Sequence, residues 1–470
     1  MFNRNVIAAA VALACAGPAH GQESELAKIR EEIKQMKEGY EKRIEALEKR
    51  LAEAESKAGQ AEQSAARAET AATQATSRPA ADNAFNPALS VILQGTAART
   101  SQDPNTFQIT GFAPTGGEVG PPKRGFSLGE SELFLTANVD PYFRGQLVAS
   151  FTPENDLEVE EAFFQTLALG KGFTLKGGRF LSGIGYLNEI HQHAWDFQDA
   201  PLAYKAFLGG RLADDGVQLK WVAPTDLLIE VGGELGRGLN FPGTDRSKNG
   251  TGAWSLFGHV GGDIGTSTAW RAGLSYYQTK AENRAFQDVD SLGGPVIQSF
   301  TGDSKLWIAD FVVKWAPNGN ATYTNFKLQG EYFRRKESGS LTFNDAVQAV
   351  PQFGTAFTDF YSSRQSGWYL QGVYQFMPRW RVGYRYDRLN FGTVNNGIVL
   401  NGLGPTAADF PLLMTDHNPS RHTLMFDWSL TEFSRLRLQL AQDKSRVGVT
   451  DNQILLQYIY SLGPHGAHKF

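Results

Sequence analysis

The chain has 470 residues, 45 Lys+Arg against 49 Asp+Glu and a formal net charge of -4, which lacks the basic excess that a nucleic-acid binder uses. Gly (50 residues) and aromatics (12%) are abundant, while hydrophobics stand at an ordinary 41%. Beyond the first 20 residues no run of about 18 apolar residues exists, which excludes transmembrane helices but not a β-barrel, whose apolar residues hide in alternation.

Residues 1–21 read as a signal peptide: Arg4 gives the positive end, Val6 to Ala16 the apolar core, and Ala19-His20-Gly21 the small residues at the cleavage positions. The only cysteine, Cys15, lies inside it. Cleavage after Gly21 therefore leaves no disulfide, no thiol chemistry and no Cys-based zinc site. Residues 22–76 carry an apolar seam: Leu26, Ile29, Ile33, Met36, Tyr40, Ile44, Leu47 and Leu51, then Ala54, Ala58, Ala61, Ala65, Ala68 and Ala72. The spacing alternates three and four, with one extra four at Tyr40–Ile44, a heptad pattern with one stutter. So narrow a stripe needs a partner helix to bury it, which predicts an α-helical coiled coil in the periplasm and a homotrimer as the expected assembly. Residues 77–88, with Pro79 and Pro87, form a linker.

From residue 89 to 470 the period becomes two. Trp368, Leu370, Tyr374 and Phe376 share one face while Gln371 and Gln375 take the other. Leu436, Leu438 and Leu440 alternate with Arg435, Arg437 and Gln439. The segments run about 10–14 residues, enough to cross a bilayer at a tilt. Very short turns (Asp140-Pro141, Gly170–Gly172, Pro378-Arg379) alternate with long polar loops near 101–125, 185–215, 239–252, 280–304, 338–366 and 390–419. Aromatics sit at strand ends: Tyr142, Phe143, Trp221, Trp270, Trp307, Trp315, Trp380 and Trp428. Together these predict an all-β transmembrane antiparallel barrel of about 16 strands, with short turns on the periplasmic side.

The same phase aims Arg144, Lys220, Arg271, Lys314, Lys327, Arg381, Arg385, Arg421, Arg435 and Arg437 into the lumen, against Glu130, Glu132, Asp310, Glu331, Asp387, Asp427 and Asp443. A basic wall attracts anions, so Arg381, Arg385, Arg421, Arg435, Arg437, Arg271 and Lys327 are the expected pore-lining, solute-binding residues. A mixed lumen that only keeps the pore wet is the alternative. In the loop near 185–215, His191 and His193 stand two apart with Glu189 and Asp196 nearby, a donor set that suits zinc. Otherwise no cofactor is expected. The run Glu154, Asp156, Glu158, Glu160, Glu161 reads as a solvated outer loop. His259 and His422 lie on strands without a nucleophile motif around them, so no enzymatic activity is expected.

The layout of signal peptide, coiled coil, alternating strands and terminal Phe470 resembles Gram-negative outer-membrane porins, in particular the phosphate-selective O/P type. The segments from Gly183 to Glu189, from His191 to Asp196 and from His465 to Phe470 also resemble uncharacterised outer-membrane proteins, some labelled zinc-regulated. The porin resemblance implies that the loop near 185–215 folds inward as a constriction, with Glu189, Trp195, Asp196 and Asp199 on it. It implies a passive channel for small hydrophilic solutes or ions in the outer membrane, among lipid and lipopolysaccharide. A divalent-metal uptake channel or receptor and a structural envelope tether are the alternatives.

Overall fold

The computed structural model describes residues 87–116, 119–153, 156–346 and 352–463, with nine residues between Glu31 and Lys49. The chain divides into two units, Met1–Ala84 and Phe85–Phe470. In the first unit the nine described residues are helical and exposed, and Lys37 Nζ lies 3.9 Å from Glu41 one turn on. The expected signal peptide, the heptad seam, His465, His468 and Phe470 lie outside the described residues.

The second unit is a closed antiparallel barrel. Its strands are β1 (Ala88–Thr100), β2 (Gly125–Leu128 continued as Ser131–Asn138), β3 (Phe143–Phe151), β4 (Leu157–Thr166), β5 (Phe173–Leu181), β6 (Ala213–Val222), β7 (Leu228–Gly236) and β8 (Ala253–Ile264). They continue as β9 (Thr268–Val289), β10 (Pro295–Trp315), β11 (Asn325–Asn344), β12 (Ala356–Met377), β13 (Trp380–Asn396), β14 (Ser420–Thr431), β15 (Ser434–Lys444) and β16 (Asp451–Leu462). The two halves of β2 pair in succession along β1, so 17 segments make sixteen staves. Pairing of Val91 with Leu462 closes the circle between β1 and β16. The sixteen-strand expectation and its phase hold: Trp368, Leu370, Tyr374 and Phe376 face outward, while Tyr369, Gln371 and Val373 are buried inside.

The outer face carries two aromatic levels. Near the short turns lie Tyr142, Phe143, Trp315 and the stacked pair Trp380–Trp428, whose centroids are 5.5 Å apart. Higher up, Tyr276 contacts both Trp254 (5.0 Å) and Trp307 (4.7 Å), and Trp368 contacts Tyr386 (5.4 Å). From Trp307 to Trp315, eight steps of about 3.3 Å at a tilt of about 40° span roughly 20 Å, close to the apolar band of an outer-membrane barrel.

Above the upper level the structure departs from expectation. Much of 280–304, 338–366 and 390–419, read from the sequence as loops, continues β9 to β13 as strand. Outward residues there (Lys280, Lys305, Lys336, Arg364) meet water rather than lipid, so the segments look polar. Their inward residues Phe286, Val296, Phe300, Leu341, Phe343 and Tyr361 bury a second apolar core. Two short helices, α2 (Gly397–Leu400) and α3 (Pro411–Met414), cap it with Ile398, Leu412 and Leu413.

Candidate functional site in the barrel lumen

Residues 182–212, between β5 and β6, turn into the barrel. Asn188 ties the base of this loop. Its Nδ2 donates to Ser182 O (2.7 Å) and Leu212 O (2.9 Å), and its Oδ1 accepts from Leu212 N (2.7 Å). Gly183 and Gly232 flank the Phe257 ring so closely that a Cβ on either would fall within 2.6 Å of it. The helix α1 (Leu202–Leu208) starts after Pro201 and stops at Gly209, where φ is 68°. Every residue of α1 is buried, against Phe112, Phe333, Tyr369 and Leu389. A fully buried side chain such as Leu202 or Phe207 contributes about 1.5–3 kcal/mol, so the loop is packed as a core inside the lumen.

Wall polar groups satisfy the loop backbone. Glu331 accepts from the N–H groups of Tyr186 (3.0 Å) and Leu187 (3.1 Å), and Asp387 accepts from Leu202 N (2.9 Å). Two loop carboxylates then meet the arginines of β13 and β14. Asp196 contacts Arg381 at 3.0 Å and pairs with Lys327. Asp199 pairs with Arg421, lies 3.3 Å from Arg385 and 2.9 Å from Lys205, and accepts from Gln439 Nε2 at 3.0 Å. Burial opposes the ionisation of Asp199, but Arg421, Lys205 and Arg385 outweigh it and hold the carboxyl well below its ordinary value. For Asp196 the same balance is struck with Lys327 and Arg381.

The seven sequence-predicted pore residues therefore divide. Arg385, Arg421 and Arg437 have side chains only 1%, 2% and 0% exposed, each held by Asp199 or a wall aspartate. Arg381 (21%), Lys327 (22%) and Arg435 (28%) are partly exposed, and Arg271 is half-buried over the Tyr186 ring. Those four stand near the short-turn ends of their strands, with Arg144, Lys220 and Lys314 at the same level. The result is a basic ring below the inward loop, with three carboxylates paired to it: Glu230 on Lys220 (2.9 Å), Asp196 on Lys327 and Arg381 (3.0 Å from the latter), and Asp427 on Arg381.

On the opposite side of the loop, His191 meets three glutamates. Its Nδ1 lies 3.3 Å from Oε2 of both Glu132 and Glu160, and its Nε2 lies 3.1 Å from Glu161 Oε2. His193 does not converge on the same point; its Nδ1 lies 3.0 and 3.1 Å from the two oxygens of Glu132. Glu189 and Asp196, expected beside the histidines, are not part of this cluster: Asp196 faces the far wall. Nor is 156–161 a solvated loop throughout. Val148 pairs with Glu161 and Ala149 with Val159, so Glu160 is the extra residue of a β-bulge. The bulge turns adjacent Glu160 and Glu161 to the same, inner side. Burial opposes charge on His191, but the neighbouring carboxylates of Glu132, Glu160 and Glu161 outweigh it and raise its pKa well above the ordinary value. Glu130, Glu160 and Arg211 line the floor of a cavity of about 830 Å³ that opens between the long loops.

A protein of Aquifex aeolicus, known only as uncharacterized, is 30% identical over 419 residues, covering 83% of this chain and 81% of its own length. The chain belongs to the family of that protein. No family model matches it. Among solved structures, a loop-deletion form of the outer membrane protein OmpT of Vibrio cholerae superposes with a TM-score of 0.50 at 11% identity, covering 81% of this chain and 100% of that one. The outer membrane channel DcaP of Acinetobacter baumannii gives 0.46 at 11% identity, covering 80% and 97%. The first of these likenesses is one of fold.

Sequence reading placed Asp196, Asp199 and His191 on the inward loop but missed their partners. One signal was available for Glu160 and Glu161: adjacent carboxylates between Val159 and Ala162 break the alternation, which is what a bulge does. The buried Asn188, by contrast, stands in Gly-Tyr-Leu-Asn-Glu with nothing local to mark it.

Proposed function

We propose that this protein is a porin-type channel of the outer membrane, passing small hydrophilic solutes with a preference for anions. The observation that carries the reading is the basic ring near the periplasmic end of the lumen: Arg144, Lys220, Arg271, Lys314, Lys327, Arg381 and Arg435, none of them fully buried. Partly hydrated guanidinium and ammonium groups around a lumen lower the energy of an anion there and raise that of a cation. The buried arginines under Asp199 are already neutralised and fix the loop, whereas the ring sets seven basic groups against the three carboxylates paired with it, Asp196, Glu230 and Asp427, and so keeps a basic excess. The test is the reversal potential across a planar bilayer under a salt gradient. Chloride preference that falls on replacing Arg435 and Arg271 with Glu supports the ring. A folded barrel that never conducts overturns the channel reading.

A second reading, uptake of divalent metal, draws on the His191 cluster at the cavity floor. Zinc entry into vesicles that stops with His191→Ala, while chloride conductance persists, would favour it. The heptad seam of 22–76 supports a periplasmic coiled coil and a homotrimer, which native mass spectrometry of the full chain tests.

A further inference from the structure

The ring nitrogens of His191 are both committed to carboxylates, and an imidazole has only limited ways to satisfy that. The Nε2–H is donated to Glu161, and Nδ1 is aimed at Glu132 and Glu160, where either the second proton of a charged imidazole or a bound cation must sit. A lone pair facing two carboxylate oxygens is repulsive unless a cation lies between them. Glu132 is fully buried and the Glu160 side chain only 8% exposed, so bulk water does not screen the repulsion. Arg211 Nη2 reaches Glu160 at 3.0 Å, yet neither Glu160 oxygen nor His191 Nδ1 has a hydrogen bond.

The spacing identifies the kind of cation. Tetrahedral zinc with ligand bonds of about 2.0–2.2 Å sets its ligand atoms about 3.3–3.5 Å apart. His191 Nδ1 stands 3.3 Å from each glutamate oxygen, and the three ligand atoms all lie within 4.8 Å of one another. One imidazole with two carboxylates suits zinc and similar transition ions better than calcium, which takes six to eight oxygens. Glu161 on Nε2 supplies the carboxylate–histidine pairing that orients a metal-bound imidazole, and His193 holds Glu132 in turn.

We propose that Glu132, Glu160 and His191 bind one divalent transition-metal ion through His191 Nδ1, with Glu161 as the positioning carboxylate, so that the metal ties the inward loop to β2 and β4. The Glu160 side, facing the cavity, supplies the route for the ion and for a water as fourth ligand. This goes beyond the channel reading and does not depend on which solute passes.

The test uses the full-length protein, purified in detergent, stripped with EDTA and titrated with zinc chloride by calorimetry. About one equivalent is expected at micromolar affinity or tighter. His191→Ala and the near-isosteric Glu160→Gln should each weaken it at least ~100-fold, and Glu161→Gln about 10- to 100-fold. X-ray absorption on the zinc-loaded protein should give one imidazole nitrogen among oxygen ligands. Heat-modifiable migration verifies that each variant is a folded barrel. No binding by the folded protein means that Nδ1 carries a proton instead, and overturns the proposal. Binding unchanged in both His191→Ala and Glu160→Gln, as capture by His465 and His468 would give, overturns it as well.

Discussion

Asn188 Oδ1 accepts the backbone N–H of Leu212 at 2.7 Å, and this bond joins the two ends of the inward loop. With its Nδ2 on Ser182 O and Leu212 O, one fully buried side chain closes a loop of 31 residues (182–212). Asn188→Ala removes all three bonds and strands buried backbone groups, at a cost of about 1–3 kcal/mol. The barrel hydrogen bonds are elsewhere, so the variant should still fold. Its loop amides should exchange faster with solvent, and its conductance should rise. Unchanged exchange at 186–208 would remove Asn188 from this role.

Asp199 offers a harsher test, since it neutralises Arg385, Arg421 and Lys205 together. Asp199→Asn takes the paired carboxylate from buried Lys205 and leaves Arg385 and Arg421 to Asp387 and Asp443 alone, and breaking a buried pair costs about 3–5 kcal/mol. The expected readouts are a lower melting temperature for the loop and stronger anion preference. Acid should act in the same direction. A carboxyl held below its ordinary value, here 3.8, stabilises the docked loop above that pH. The stabilisation is lost as pH falls through the lower, folded-state value. Conductance should therefore be flat from neutral pH down to about pH 4 and change only in stronger acid. A transition centred near pH 6 would assign the latch to another group.

The barrel was legible because lipid on one side and a packed lumen on the other enforce a period of two at every membrane-level position. That constraint ends above Trp307 and Trp368, where both faces of β9 to β13 no longer differ in the familiar way, and there strands were read as loops. The inward direction of Arg385, Arg421 and Arg437 followed from the same alternation. Their burial did not, because it depends on Trp195 and Asp199, more than 180 residues earlier in the chain. A pairing between a loop and a distant wall leaves no local pattern to read.

Arg435 and Arg437, two residues apart on one strand and alike in sequence terms, should behave differently. Arg435 is 28% exposed and stands 3.8 Å from Asp427. Arg437 is fully buried, donates to Asp427 at 2.8 Å and to Trp195 O at 2.7 Å. Arg435→Glu should shift the reversal potential toward cations and leave stability nearly unchanged. Arg437→Met should lower stability and loosen the loop at Trp195, with a smaller effect on selectivity. Equal shifts in selectivity from both would mean that Arg437 also reaches water.

On the outer face, Lys305 pairs across strands with Lys336, and Lys336 with Arg364, all three exposed. Like charges directly opposite one another destabilise a sheet. None of the three has an ion-pair partner among the described residues. They stand just above Trp307, Tyr332 and Trp368, the level at which the phosphates of lipopolysaccharide would lie. A phosphate bridging the row would turn repulsion into charge-assisted hydrogen bonds. The triple replacement of Lys305, Lys336 and Arg364 by Gln should reduce lipopolysaccharide retained through purification, measured as phosphorus per barrel. Freed from lipopolysaccharide, the triple variant should melt a few degrees above the wild type, since relief of two like-charge pairs is worth up to about 1 kcal/mol each. Equal phosphorus in the two proteins would show that the row does not hold the lipid.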